Sequence, residues 1–189
     1  MEAAHGKTFS KTDFTQKPFA KGEYEYCIFT QCDFSSCDLS GIKFIDCKFL
    51  ECNLSLCNVQ KTSLQNIEFK DCKMLGMRFD TCNSFLLAFS FDNCLLDHSS
   101  FYGTKIKKTR FKRSKLSEAD FTGCDLSESI FSDCDLDRAV FENTHLEKAD
   151  LRQAYNYSID PEKNWIRKAK FSVQGLAGLL DKFDIEIED

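Results

Sequence analysis

Along residues 117–151 the large apolar positions recur at every fifth residue: Phe121, Leu126, Phe131, Leu136, Phe141, Leu146 and Leu151. A strand alternates with a period of two and a helix repeats every 3.6 residues, so this spacing fits neither. Read backwards, the register covers most of the chain. It runs through Phe9, Phe14, Phe19, Tyr24, Phe29, Phe34, Leu39, Phe44, Phe49, Leu54, Val59, Leu64, Phe69, Met74 and Phe79, then from Phe91 through Leu96, Phe101, Ile106, Phe111 and Leu116. The two stretches are out of phase by two residues, and the break falls within residues 82–91, "CNSFLLAFSF". A five-residue unit cannot bury its own large side chain. Copies must therefore stack, and the expected architecture is a solenoid with a continuous core. In the break, Leu86, Leu87 and Phe89 are expected to be buried, and Phe85 is the candidate for an exposed anchor.

Two residues before most large positions stands a small one. Ten of the eleven cysteines fall into this slot, as Cys124 does before Leu126, Cys82 keeps the same register at the phase break, and the slot is filled elsewhere by Ala119, Ala139, Ser114, Ser129, Thr62 and Thr144. Cysteine here reads as a small buried hydrophobe selected for size. No C-x2-C pair occurs and the only histidines are His5, His98 and His145, so no zinc-ligand spacing is present. Of the 19 Phe, fifteen occupy large positions, which assigns the aromatic excess to the core and not to a base-stacking surface.

With 189 residues, 2 Pro, 8 Gly and a net charge of −5, the chain reads as one domain with a small appendage. No signal peptide or membrane-length apolar run is apparent, so a cytoplasmic protein with reduced thiols is expected. The five-residue pattern covers the unit 1–153. Residues 154–189 abandon it. There Ser172 is placed to cap a helix whose apolar face carries Val173, Leu176, Leu179, Leu180 and Phe183, followed by an edge strand over 184–189, "DIEIED". This C-terminal segment either caps the open end of the core or caps it and also joins two copies. The breadth of its apolar face favours the second, with Val173, Leu176, Leu179, Leu180 and Phe183 as the dimerisation residues.

A small residue, a polar one, Leu or Phe, then two polar residues is the unit of the pentapeptide-repeat proteins, which this chain resembles from about residue 7 to 153. The resemblance implies an all-β solenoid, a right-handed quadrilateral β-helix of four repeats per coil. Roughly thirty repeats would make between seven and eight coils, on the order of 35 Å at about 4.8 Å per coil. The segments "ECNLSLCNV", "FKDCKMLGM", "CLLDHSSFYGTK", "NYSIDPEKNWIRKAKFS" and "LLDKFDIEIED" further resemble the AlbG/McbG/Qnr-like subfamily. That resemblance implies a homodimer through the C-terminal segment, a rod that mimics B-form DNA, and DNA gyrase or topoisomerase IV as partner, inhibited or protected from topoisomerase poisons. The long loops of Gram-negative Qnr proteins are missing, which favours gyrase binding over drug protection.

Charge is unevenly placed. Residues 118–151 hold ten acids against Arg138 and Lys148, whereas "KIKKTRFKRSK", residues 105–115, holds seven cations and no acid. If a coil has 20 residues, stacked neighbours pair Arg113 with Asp133, Lys108 and Lys148 with Glu128, Glu118 with Arg138, Lys105 with Asp125, and Lys115 with Asp135. Among residues 105–151, Asp120, Asp137, Glu142, Glu147 and Asp150 are left without such a partner. They are the candidate acidic surface for a basic protein partner, recruited by charge complementarity. The competing reading makes them solvated repeat positions.

The basic run does not read as a nucleic-acid site, because Ile106 and Phe111 point inward and most of its cations face acids. Catalysis has no support: the cysteines lie inside, and there is no phosphate-binding or dinucleotide glycine motif. A non-enzymatic protein without cofactor or metal is expected. Its alternative role is that of a structural interaction scaffold whose partner is not gyrase.

Overall fold

The computed structural model describes residues 2–16 and 19–186. Eleven short strands follow in order: β1 (Glu2–His5), β2 (Thr8–Ser10), β3 (Gly22–Glu25), β4 (Ile28–Thr30), β5 (Lys43–Ile45), β6 (Lys48–Leu50), β7 (Ser63–Gln65), β8 (Ile67–Lys70), β9 (Phe89–Asp92), β10 (Arg110–Lys112) and β11 (Ile130–Ser132). All pairings are parallel. One sheet is β1-β3-β5-β7 and the other is β2-β4-β6-β8-β9-β10-β11. Phe9 pairs with Phe29 and Phe29 with Phe49, a register of 20 residues. Since 20 is four times five, each coil has four sides and the chain forms a parallel β-solenoid. We number the sides in chain order: the β1 sheet is side one, the β2 sheet side two, and sides three and four are centred on Phe34 and Leu39.

The core consists of the large and small positions together, and its aromatic part is ordered. On side two Phe9, Phe29, Phe49, Phe69, Phe91, Phe111 and Phe131 stack ring on ring at 4.7–5.3 Å. A second column on side four runs Phe79, Phe101, Phe121 and Phe141 at 4.7–5.1 Å. The columns meet edge to face, as in Phe111 against Phe121 at 84°. Offset stacks and T-shaped contacts both suit the ring quadrupole, and each contributes about 0.5–1.5 kcal/mol beyond area burial.

The small slot selects a donor as well as a size. Cys57 Sγ donates to the Phe34 carbonyl at 2.9 Å, Thr62 Oγ1 to Leu39 at 2.7 Å and Thr144 Oγ1 to Phe121 at 2.9 Å. Each reaches a large-position carbonyl in the preceding coil and satisfies a buried acceptor.

Corners carry a cost that the repeat pattern does not display. Two residues after most large positions the backbone turns left-handed, as at Tyr26 (φ 52), Ser36 (φ 58), Leu56 (φ 58), Glu118 (φ 57) and Lys148 (φ 60). For a residue with a Cβ this conformation costs roughly 1–2 kcal/mol. It is offset by the ladder, because each corner N–H is delivered to the next coil: Tyr26 to the Ile45 carbonyl, Ser36 to Ser55, Leu56 to Leu75, all at 2.9–3.0 Å.

The phase break is a two-residue bulge on side one. Arg78 pairs with Ser100 and Ser90 with Arg110, so twelve residue steps (90 − 78) are matched by ten (110 − 100). β8 and β9 accordingly pair with a register of 22, Phe69 opposite Phe91. Leu87 and Phe89 are buried as expected. Leu86, by contrast, is 60 % exposed beside Phe85 at 67 %. The chain bows outward between Asn83, whose N–H still bonds Thr62, and Ala88, whose N–H bonds Leu64, so the intervening side chains lose access to the core.

Stacking continues beyond residue 153, with Asp135 opposite Tyr155, His145 opposite Trp165 and Asp150 opposite Lys170. The α-helix expected after Ser172 does not form. The segment makes two 3-10 turns, Leu176–Leu179 and Asp181–Phe183. Gly175 and Gly178 lie so close to Tyr157 that a Cβ on either would collide with it, and the Gly178 carbonyl accepts the Ile159 N–H at 2.8 Å. Tertiary contacts thus take over the backbone groups a helix would use. Of the edge strand expected over 184–189, residues 184–186 are not strand, Asp184 being left-handed at φ 48, and residues 187–189 lie outside the described residues. Tyr157 and Ile159 join the core, and Ile166, Phe171 and Leu179 pack against it. Among the described residues no helix is long and apolar enough to cross a membrane.

Candidate protein-interaction surface

The five candidate acids are set by their repeat positions. Asp120 and Glu142 fall on side four, Asp137 on side three, Glu147 on side one and Asp150 on side two, following the 20-residue register. They therefore point in four directions and do not form one stripe. Nor are they free of partners. Asp120 accepts the Thr122 N–H at 2.9 Å. Asp137 pairs with Arg138 at 3.2 Å, Glu142 with Lys163 at 3.1 Å, and Glu147 lies 3.4 Å from His145. Asp150 grips Arg152 through two bonds of 2.9 and 2.7 Å, and the Arg152 side chain holds its carboxyl below the usual range. Lys163 comes from the next coil, one residue off the 20-residue register, while Arg152, Arg138 and His145 lie within one or two residues of their partners in sequence.

The expected charge ladder is half realised. Glu128 stands 3.8 Å from both Lys108 and Lys148, and Arg138 reaches Glu118 at 2.9 Å. Lys105 and Lys115 stack over Asp125 and Asp135 in the backbone, but Asp125 takes Lys107 instead, Lys115 leans to Asp97, and Arg113 turns back to Asp92 at 2.6 Å. Long side chains reach diagonally as easily as straight up, so register alone does not choose among carboxylates. Such exposed pairs are worth roughly 0–1 kcal/mol each.

Of the dimerisation residues, Val173 is 80 % exposed, and Leu176 and Phe183 are also exposed, while Leu179 and Leu180 are half-buried. Leu176, Leu179, Leu180 and Phe183 line one apolar groove with Pro161 and the stem of Lys182. Lys182 is held there by Asp160 at 2.8 Å and Glu162 at 2.6 Å. Val173 is not part of that groove.

Among the described residues no cluster of three His, Cys, Asp or Glu is placed to hold a metal ion. A family model described as a pentapeptide repeat region matches residues 23–84, 42–121 and 79–151, which together span most of the solenoid. The chain belongs to the pentapeptide-repeat family. Among solved structures it is similar to a trypsin-treated form of QnrB1, a plasmid-mediated fluoroquinolone resistance protein, with a TM-score of 0.65 and 18% identity, covering 99% of this chain and 100% of that one. Full-length QnrB1 gives a TM-score of 0.64 at 18% identity, covering 97% and 100%. At this identity the likeness is one of fold. No curated protein sequence matches the chain. The pentapeptide repeat accounts for the right-angled coil, the stacked Phe columns and the donor-bearing slot. Its outward positions are left open to sequence, and there this chain's individuality lies.

Proposed function

We propose that this pentapeptide-repeat protein is a non-enzymatic, DNA-mimicking binder of a type II topoisomerase, DNA gyrase or topoisomerase IV, that modulates the enzyme or shields it from topoisomerase poisons. The observation that carries the reading is the likeness to QnrB1 over the whole length of both chains, including the C-terminal segment that the repeat does not dictate. In this reading two cytoplasmic copies join through Leu176, Leu179, Leu180 and Phe183, with Val173 at the margin, and the acids nearest that end, Asp120, Asp137, Glu142, Glu147 and Asp150, meet a basic DNA-binding groove. A second reading, an interaction scaffold with another partner, is favoured by the spread of those acids over four sides and by their partners within the chain.

A supercoiling assay with gyrase, the protein titrated in with and without a fluoroquinolone, separates the two. Inhibition or drug protection that competes with DNA is expected, and reversing Asp120, Glu142 and Glu147 to Lys should abolish it while thermal unfolding stays cooperative. A flat response in both conditions would remove gyrase from the proposal and leave the scaffold.

A further inference from the structure

The bulge on side one has a chemical setting unlike the rest of the rod. Phe85 and Leu86 project from it, 67 % and 60 % exposed. Regular ladder bonds fail here: among the described residues no backbone hydrogen bond joins 84–87 to the next coil, and the N–H of Lys105 has no backbone acceptor. In that next coil side one carries Lys105, Lys107 and Lys108, and Arg110 opens side two just past the corner. Lys107 and Lys108 are engaged by Asp125 and Glu128, on the side away from the bulge. Lys105 and Arg110 are exposed, and no carboxylate among the described residues lies within 4 Å of either. Two apolar knobs on side one therefore lie one coil from two uncompensated cations, Lys105 on the same side and Arg110 just past the corner, at a break in the backbone ladder.

We propose that this corner docks an acidic peptide segment of a partner protein, its carboxylates meeting Lys105 and Arg110 and an apolar side chain packing on Phe85 and Leu86. Charge complementarity selects acid, and the exposed knobs select an apolar group beside it. A nucleic-acid backbone fits less well. Five of the seven cations in residues 105–115 already have a carboxylate within 4 Å, whereas phosphate binding draws on many free cations at once. The surface is opposite in sign to the acidic one invoked for a topoisomerase, so it stands whether or not that reading does.

The test is fluorescence anisotropy with the intact protein and a short labelled peptide of Glu and Asp carrying a central Leu-Phe pair. Comparison probes are the same peptide without Leu-Phe, a Lys-rich version and a duplex DNA fragment. Binding of the acidic Leu-Phe peptide is expected to weaken with salt. The pair Lys105→Glu and Arg110→Glu should lower affinity about tenfold or more, and the pair Phe85→Ser and Leu86→Ser about fivefold, with unchanged thermal unfolding in both. All four residues lie at the surface, so folding is preserved. No binding of the acidic peptide, affinity indifferent to both variant pairs, or preference for the DNA fragment would each overturn the proposal.

Discussion

Burial pushes the thiols of Cys47, Cys82, Cys124 and Cys134 up to about 12, so at neutral pH they stay protonated and unreactive. Ten of the eleven cysteines are fully buried and Cys82 alone is partly exposed. Titration of the native protein with a thiol reagent is therefore expected to label none of them quickly, Cys82 being the first to react because it is partly exposed, and all eleven after unfolding; rapid labelling of several would show that the core opens. The size rule at the slot is readable from the mixture of Cys, Ala, Ser and Thr. Its second rule was available in the same letters, since Cys, Ser and Thr all carry a hydrogen to donate. What hid it is that Ala119, Ala139 and Ala149 also occupy the slot, so size was the property common to all. Asn164 shows the donor rule acting at the end of the stack: a larger residue fills the slot, and its Nδ2 donates to the Phe141 carbonyl at 2.9 Å.

Between residue and coil, the acid that precedes many large positions stiffens the turn. Asp13 accepts both the Thr15 hydroxyl and N–H, at 2.6 and 2.9 Å, and Asp38 accepts the Ser40 N–H at 3.0 Å. The side-chain bond from Thr15 lowers the first carboxyl. Hydrogen bonds from Lys21 and then Ser40 bring the second to about 2, and Lys182 lowers Asp160. Their folded values lie below the unfolded value of about 3.9. The stability they contribute is thus complete above pH of about 4 and lost as pH falls toward 2. Thermal unfolding followed across that range should show a level melting temperature down to about pH 4 and a steep decline below it; a decline centred near pH 6 would refute this. The C-terminal segment is where local pattern misled. Apolar residues at helical spacing after Ser172 read as a helix, in which Gly175 and Gly178 cost propensity and permit the close approach of another backbone. In the fold they are clearances for Tyr157, which lies far back in sequence. The glycines signal a close approach, but no local pattern names Tyr157 as its partner. Corners are the converse: Lys, Glu and Leu stand at left-handed positions, and only the ladder explains why glycine is not required.

At the scale of the rod, the C-terminal end carries apolar surface that the core does not use, with Val173, Leu176, Phe183 and Ile185 exposed. Sedimentation equilibrium at micromolar concentration is expected to give a dimer, and Leu176→Asp with Phe183→Asp a monomer of undiminished thermal stability. A wild-type monomer would confine the segment to capping. The sequence by itself determined the solenoid, because a five-residue period leaves stacking as the only way to bury one large side chain per repeat. It also located the phase break and the identity of nearly every core residue, since inward and outward positions are fixed by the same count. Only the tertiary structure decided what the outward residues do. Stacking brings side chains 18, 20, 21 or 22 positions apart within reach of one another, and chain ends and bulges supply partners from outside the count. Lys107 with Asp125, Glu142 with Lys163, and the exposure of Leu86 all follow from that geometry. Core positions answer to a one-dimensional rule, whereas surface charges answer to whichever neighbour is nearest in three dimensions.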